Sequence, residues 1–139
     1  ASPVNLKFQM SKPIPVVAAV VQRDGKFLVT QRQGEGPLAW CWEFPGGKCK
    51  PGETLRNALR RELREELDVD ISVGKKIHMV QHDYPDNRLL LHFYQCQIHG
   101  TPRPCLGQAI QWVTPEELKD LTFPPADVKL IEILGTKGL

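Results

Sequence analysis

The stretch Gly46–Asp68 restricts this chain more than any other. A Gly/Pro-rich segment, from Gly46-Gly47 to Pro51-Gly52, runs straight into good helix formers with no internal Gly or Pro. Thr54 stands where an N-cap is needed, and Glu53 before it suits the positive end of the helix dipole. Leu55, Ala58, Leu59, Leu63 and Leu67 recur at helical spacing and mark the buried side. At roughly 100° per residue, Arg56, Asn57, Arg60, Arg61 and Arg64 fall mostly on the far side, as a solvated face. The acids break this rule. Glu62 and Glu66 land beside Leu55 and Leu59, and Glu65 lands next to Ala58. Residues three and four apart on a helix have Cβ atoms roughly 5–6 Å from each other. Three carboxylates therefore gather at the edge of a face that is to be buried. Such a group must protonate, find a cation or destabilise the fold.

Two partners are open to it. Arg61 or Arg64 can curl round and turn the cluster into a salt-bridge network. Alternatively a hard divalent cation binds there, since Mg²⁺ takes carboxylate oxygens, keeps several waters and is completed by substrate phosphates. The preceding glycines favour the cation, because they let a backbone carbonyl approach a ligand with no side chain in the way. The stretch resembles the Nudix box, which reads Gly, five residues, Glu, seven residues, then Arg-Glu-aliphatic-x-Glu-Glu-x-Gly-aliphatic. Gly47, Glu53, Arg61, Glu62, Leu63, Glu65, Glu66 and Val69 match at that spacing. Asp68 stands where the pattern has its last glycine, a position after the helix where Asp tolerates φ > 0 better than most residues.

The rest of the chain is read in order. At 139 residues with 41% hydrophobic content it suits one domain with one core. Residues 1–12 are read as an N-terminal extension or a cloning remnant, with Met10 a natural start and Ala1–Gln9 a leader or remnant, and residues 13–139 as a single domain, which the resemblance makes a Nudix hydrolase domain. No charged-then-apolar leader points to a signal peptide, and no long apolar run points to a transmembrane helix. A net charge of +2, with both signs mixed, does not suggest a nucleic-acid tail or a membrane patch. Cys41, Cys49, Cys96 and Cys105 lack metal or redox spacing and are read as free thiols in a reducing cytoplasm. His78, His82, His92 and His99 are strand and loop residues rather than metal ligands.

Val16–Val21 is a continuous apolar run, as for a strand buried on both faces. Asp24-Gly25 signals a hairpin turn and 26–32 a returning strand. Trp40–Pro45 leads into the Gly46 loop. Ile71–Asp83 and Leu89–His99 are long strands around the turn Tyr84-Pro85-Asp86-Asn87, and Gln108–Val113 is a short one. Thr114-Pro115 starts a helix, and Ala126–Leu134 is a final helix closed by Gly135. Trp40 and Trp42 are core or site residues, and Trp112 is core. Double-buried strands need cover on both faces, so the pattern is α/β, a helix–sheet–helix layering. The resemblance implies the same: the Nudix fold, an α/β/α sandwich with a mixed sheet between helices.

The resemblance also implies chemistry. Nudix relatives hydrolyse a nucleoside diphosphate linked to another group with Mg²⁺ or Mn²⁺. By position Glu62, Glu65 and Glu66 and the Gly46 carbonyl are the metal ligands. Glu62 is the water-activating base, Arg61 orients the glutamates and Glu53 braces the corner. Trp42–Lys48 and Phe123–Asp127 are similar to MutT-type nucleoside triphosphate pyrophosphohydrolases. These cleanse the nucleotide pool by splitting triphosphates into monophosphate and pyrophosphate. That likeness puts Arg32, Phe44, Gly47, Lys48 and Asp127 at the substrate, with Arg32 on phosphate or sugar, Phe44 near the base and Asp127 on its edge.

Two departures bear on the substrate. Asp127 replaces the Asn usual in relatives that clean 8-oxo-dGTP, and an ionised Asp only accepts hydrogen bonds. Leu106 stands where those relatives carry a further glutamate, and no acid lies between Gly100 and Val113. The implied substrates are 8-oxo-dGTP or a related modified nucleotide, with CTP or 5-methyl-dCTP as the alternative. Removal of pyrophosphate from RNA 5′ ends and a non-catalytic nucleotide-binding module are the other readings. The expected partner is a small nucleotide, with no stable nucleic-acid or membrane partner, and the protein is expected to be a cytoplasmic monomer or homodimer.

Overall fold

A computed structural model describes residues 12–139. The leader Ala1–Gln9 and the start at Met10 lie outside the described residues. The apolar run forms β1 (Ile14–Arg23). Asp24 and Gly25, both at positive φ (53° and 77°), turn it into β2 (Lys26–Gln31). That pair of left-handed residues is the turn whose twist suits a two-residue hairpin. β5 (Asp70–Asp83) and β6 (Arg88–His99) form the long hairpin, with register shifts between Val73 and His78. β7 (Ile110–Val113) pairs with β2.

β1 is the spine of the sheet. It runs parallel to β6 from Ile14↔Leu89 to Val21↔Cys96, and its turn end pairs with β2. Alternate β1 residues feed opposite cores. Val17, Ala19 and Val21 pack with Leu59, Leu63 and Leu67 of α1 (Leu55–Leu67). Ala18 and Val20 pack with Leu118 of α2 (Pro115–Leu118) and with Leu130 and Leu134 of α3 (Val128–Lys137). Each buried leucine contributes about 1.5–3 kcal/mol. This is the helix–sheet–helix layering expected. No helix among the described residues is long and apolar enough to cross a membrane.

Both expected N-caps form. Thr54 Oγ1 accepts from the Asn57 N–H, and Thr114 makes a full capping box with Glu117. All four cysteines are free.

Three expectations are corrected. The Gly46 loop is strand: β3 (Trp42–Glu43) pairs with β2, and β4 (Gly46–Lys48) pairs with β1. Glycine is required there by contact with β1, because a Cβ on Gly46 would run into the Val17 carbonyl oxygen and lie 2.8 Å from the Ala18 Cα. The last helix starts after a 3₁₀ turn (Pro125–Asp127), passes through Gly135 and ends before Gly138. Leu134 is the last buried residue, so the extra turn is a solvated extension invisible to an apolar pattern. Trp40 is not core: it is 60% exposed, at φ 65°.

Asp68 closes α1 at φ 55°, donating its N–H to the Arg64 carbonyl. Its exposed pair with Arg103, at 3.7 Å, adds little. Asp68→Gly should therefore raise stability by about 0.5–1 kcal/mol, and Asp68→Val should lower it. Urea denaturation of the two variants checks the sign of each change.

Candidate active site

The helix α1 meets β4 through Arg61. Its Nε and Nη2 donate to the two Glu53 oxygens at 2.7 and 2.9 Å. Nη1 reaches Glu62 at 2.9 Å and Glu65 at 3.2 Å, and Nη2 also donates to the Lys48 carbonyl at 3.1 Å. Glu53 in turn accepts from the Lys50 N–H, at 2.8 Å. These donors hold the Glu53 carboxyl down to about 2, the Arg61 bonds first. Arg61 is thus half-buried within the acid cluster, which corrects its assignment to the solvated face. Its length lets the guanidinium curl round from that face to the acids.

Of the two partners open to the acids, Arg61 takes Glu62 and Glu65. Glu62 stands between the other two acids, sharing Arg61 with Glu65 and a hydrogen bond with Glu66. Glu65 is more than half exposed beside Arg61. Glu66 lines a cavity of about 680 Å³. Among the described residues, no three acidic, His or Cys side chains converge as a ready-made metal cage. Burial pushes Glu66 up to about 8, reinforced by the charge and hydrogen bond of Glu62 and by the charge of Glu43. The Gly46 backbone N–H opposes this by donating to Glu66. Carboxylates crowded in this way, Glu66 with no arginine of its own among the described residues and Glu62 sharing Arg61 with two other acids, are a hard-oxygen donor set that suits a divalent cation. A Cβ on Gly47 would lie 2.6 Å from the Glu62 carboxyl carbon and push that carboxyl aside.

The same cavity is lined by Gly46, Gly47 and Glu66 and also by Asp127. Asp127 is 4% exposed, and no described residue hydrogen-bonds its carboxyl. Burial raises it from 3.8 to about 7, the Glu43 charge adds to the rise, and Arg32 opposes it. Arg32 pairs with Glu43 at 3.6 Å and lines the wall. Phe44 lies beneath, 4% exposed, tilted against Phe123 at 5.5 Å and edge-on to Phe93 at 6.2 Å. Lys48 sits exposed on the rim of β4.

Two lining residues escaped the sequence reading. Glu43 faces both this cavity and an adjoining one of about 260 Å³, and burial raises its carboxyl too. A lone acid inside Trp42-Glu43-Phe44 was its signal: an acid flanked by aromatics is rarely idle when buried. Tyr84 closes the other side of the larger cavity. Nothing in its turn sequence marked it. In place of an acid, the Leu106–Gln108 segment brings an amide. Gln108 Nε2 donates to the Glu66 carbonyl at 3.0 Å, and Cys105 N–H reaches the same oxygen at 3.1 Å. The last carbonyls of α1 are thereby satisfied.

The family model described as NUDIX domain matches residues 16–133. The chain belongs to the Nudix family. This Nudix chain is 42% identical over 122 residues to the CTP pyrophosphohydrolase of Escherichia coli, covering 87% of this chain and 90% of that one. It is 36% identical over 125 residues to the 8-oxo-dGTP diphosphatase of Haemophilus influenzae, covering 88% and 92%. Among solved structures, the solution structure of the E. coli ORF135 protein superposes with a TM-score of 0.80 at 41% identity, covering 89% of each chain.

The raised Asp127 pKa has a stability consequence. A carboxyl whose folded value lies above its unfolded value stabilises the fold fully below the unfolded value, and that contribution is lost as pH rises through about 7. Asp127→Asn should therefore raise Tm by several degrees at pH 8, and the gap should narrow as pH falls and close only below the unfolded value of 3.8. Thermal unfolding across that range measures it.

Proposed function

We propose that this Nudix protein is a divalent-metal-dependent pyrophosphohydrolase that splits a nucleoside triphosphate into monophosphate and pyrophosphate, with a cytosine nucleotide favoured. One observation carries the reading. One cavity of about 680 Å³ is lined both by the Nudix residues Gly46, Gly47 and Glu66 and by a buried Asp127 whose carboxyl has no hydrogen-bond partner among the described residues. The phosphates belong beside the Nudix residues and the base beside Asp127. An ionised Asp127 accepts from the amino group of cytosine. The likeness to the E. coli CTP pyrophosphohydrolase supports the same choice.

The residues divide the work. Glu62, Glu66 and the Gly46 carbonyl hold the cation, and Glu65 joins when its exposed pair with Arg61 opens. A divalent cation there neutralises phosphate oxygens and lowers the barrier to attack by water. Glu62 takes the proton of the attacking water as the water oxygen bonds to phosphorus and the bond to the leaving group breaks. Arg61 and Glu53 position Glu62. Arg32 offers its guanidinium to the phosphates or sugar, Gly47 and Lys48 form the phosphate-side rim, and Phe44 floors the base end.

The titration of Asp127 favours a second substrate. When protonated, its carboxyl donates to a guanine carbonyl, which suits 8-oxo-dGTP, the substrate named for several relatives. A non-catalytic binding module is disfavoured, because every acid of the box is retained.

Glu62→Gln should lower kcat by about 10²–10⁴-fold with the fold intact, read as Mg²⁺-dependent pyrophosphate release. Near-normal turnover would remove Glu62 as base. In the wild type, the CTP to 8-oxo-dGTP ratio of kcat/KM should climb as pH rises through 7. In Asp127→Asn that ratio should stay flat. A wild-type ratio that ignores pH would take base reading away from Asp127.

A further inference from the structure

Tyr84 follows β5 in the turn Tyr84–Asn87, which is closed by its own N–H donating to the Asn87 carbonyl at 2.7 Å. Its ring stands edge-on to His82, with centroids 4.6 Å apart, so the side chain is braced from behind. It lines the same cavity as Asp127, and β5 packs on the Pro125–Asp127 turn. Neither group is satisfied among the described residues. The Tyr84 hydroxyl has no hydrogen-bond partner among the described residues, and neither does the Asp127 carboxyl. A buried carboxylate and a phenol left facing one cavity form an acceptor and a donor for something outside the chain. The phenol keeps its proton across the working range, because burial raises it and the Asp127 charge raises it further.

We propose that Tyr84 is a specificity-determining residue whose hydroxyl donates to a ring acceptor of the base while Asp127 accepts from the neighbouring amino group. This rests on the nucleotide reading above. The pair then selects by pattern. Cytosine offers an amino group beside a bare ring nitrogen, so both groups are satisfied. Uracil offers a carbonyl oxygen to Asp127, which sets oxygen against oxygen, so the ring cannot sit with its N–H at the Tyr84 hydroxyl even though that hydroxyl could turn to accept it. A site built on hydrogen bonds rejects the analogue that cannot make them more strongly than an apolar pocket would. Tyr84 therefore supplies the donor that Asp127 lacks when ionised.

The test is Tyr84→Phe, which keeps the ring and removes only the hydroxyl. CMP and UMP are titrated by NMR into metal-free wild-type and variant protein at pH 8. CTP turnover with Mg²⁺ is measured alongside. Loss of one hydrogen bond to the base should weaken CMP binding about tenfold and leave UMP nearly unchanged. KM for CTP should rise with kcat held. An unchanged CMP-to-UMP ratio, or an equal fall for both, would overturn the proposal and reduce Tyr84 to packing. The two claims fail separately. Wild-type protein that binds CMP over UMP through Tyr84 but hydrolyses no triphosphate sinks the enzymatic reading alone. Wild-type protein that hydrolyses CTP while Tyr84→Phe keeps the wild-type ratio sinks the Tyr84 role alone.

Discussion

Arg61 is the contact on which the site depends. One guanidinium grips Glu53 with a two-pronged hydrogen bond and touches Glu62, Glu65 and the Lys48 carbonyl. It therefore fastens the start of α1, its middle and β4 together. Three of its four partners are negative, so one positive charge is shared among three carboxylates and the corner keeps an excess of negative charge. Glu66, one turn beyond Glu62 and crowded by Glu62 and Glu43, adds to that excess. The charge-assisted network orients the acids, and the negative charge it leaves over is what a cation would meet.

The two glycines of β4 belong to the same design. Gly46 is forced by the backbone of β1, and a Cβ on Gly47 would push the Glu62 carboxyl aside. The strand pairs with β1 and lies under α1, with no room for a methyl at Gly46 and none at Gly47 unless Glu62 moves. Main chain is brought beside the acids in this way, and the Gly46 N–H reaches Glu66. A loop with free glycines, as the sequence suggests, would leave that main chain mobile. Pairing with Val16–Ala18 fixes it.

Much of this was legible in the chain and some was not, for identifiable reasons. The β1–β2 hairpin, α1 with its Thr54 cap and the long β5–β6 pair all carry local signals: turn residues, helical spacing and alternating or continuous apolar runs. β3 and β4 carry none, being two and three residues long and held only by partners distant in sequence. Arg61 was misplaced because a helical wheel locates Cβ atoms, whereas a long side chain can reach round to another face. Asp127 could be singled out by resemblance, but its burial beside Glu43 and opposite Tyr84 depends on how three separate segments meet. Local pattern predicts which residues face a core, not which polar tips share a cavity.

The parallel ladder from Ile14↔Leu89 to Val21↔Cys96 has a consequence for the size of molecule the protein accommodates. β1 pairs with β4, which brings Gly46 and Gly47 to the cavity, and β6 follows directly from the turn that carries Tyr84. The main chain on these two sides of the cavity is therefore tied to one strand. Under the proposed nucleotide reading, a bound molecule meets a backbone frame of fixed width that side-chain rotamers adjust only at its tips.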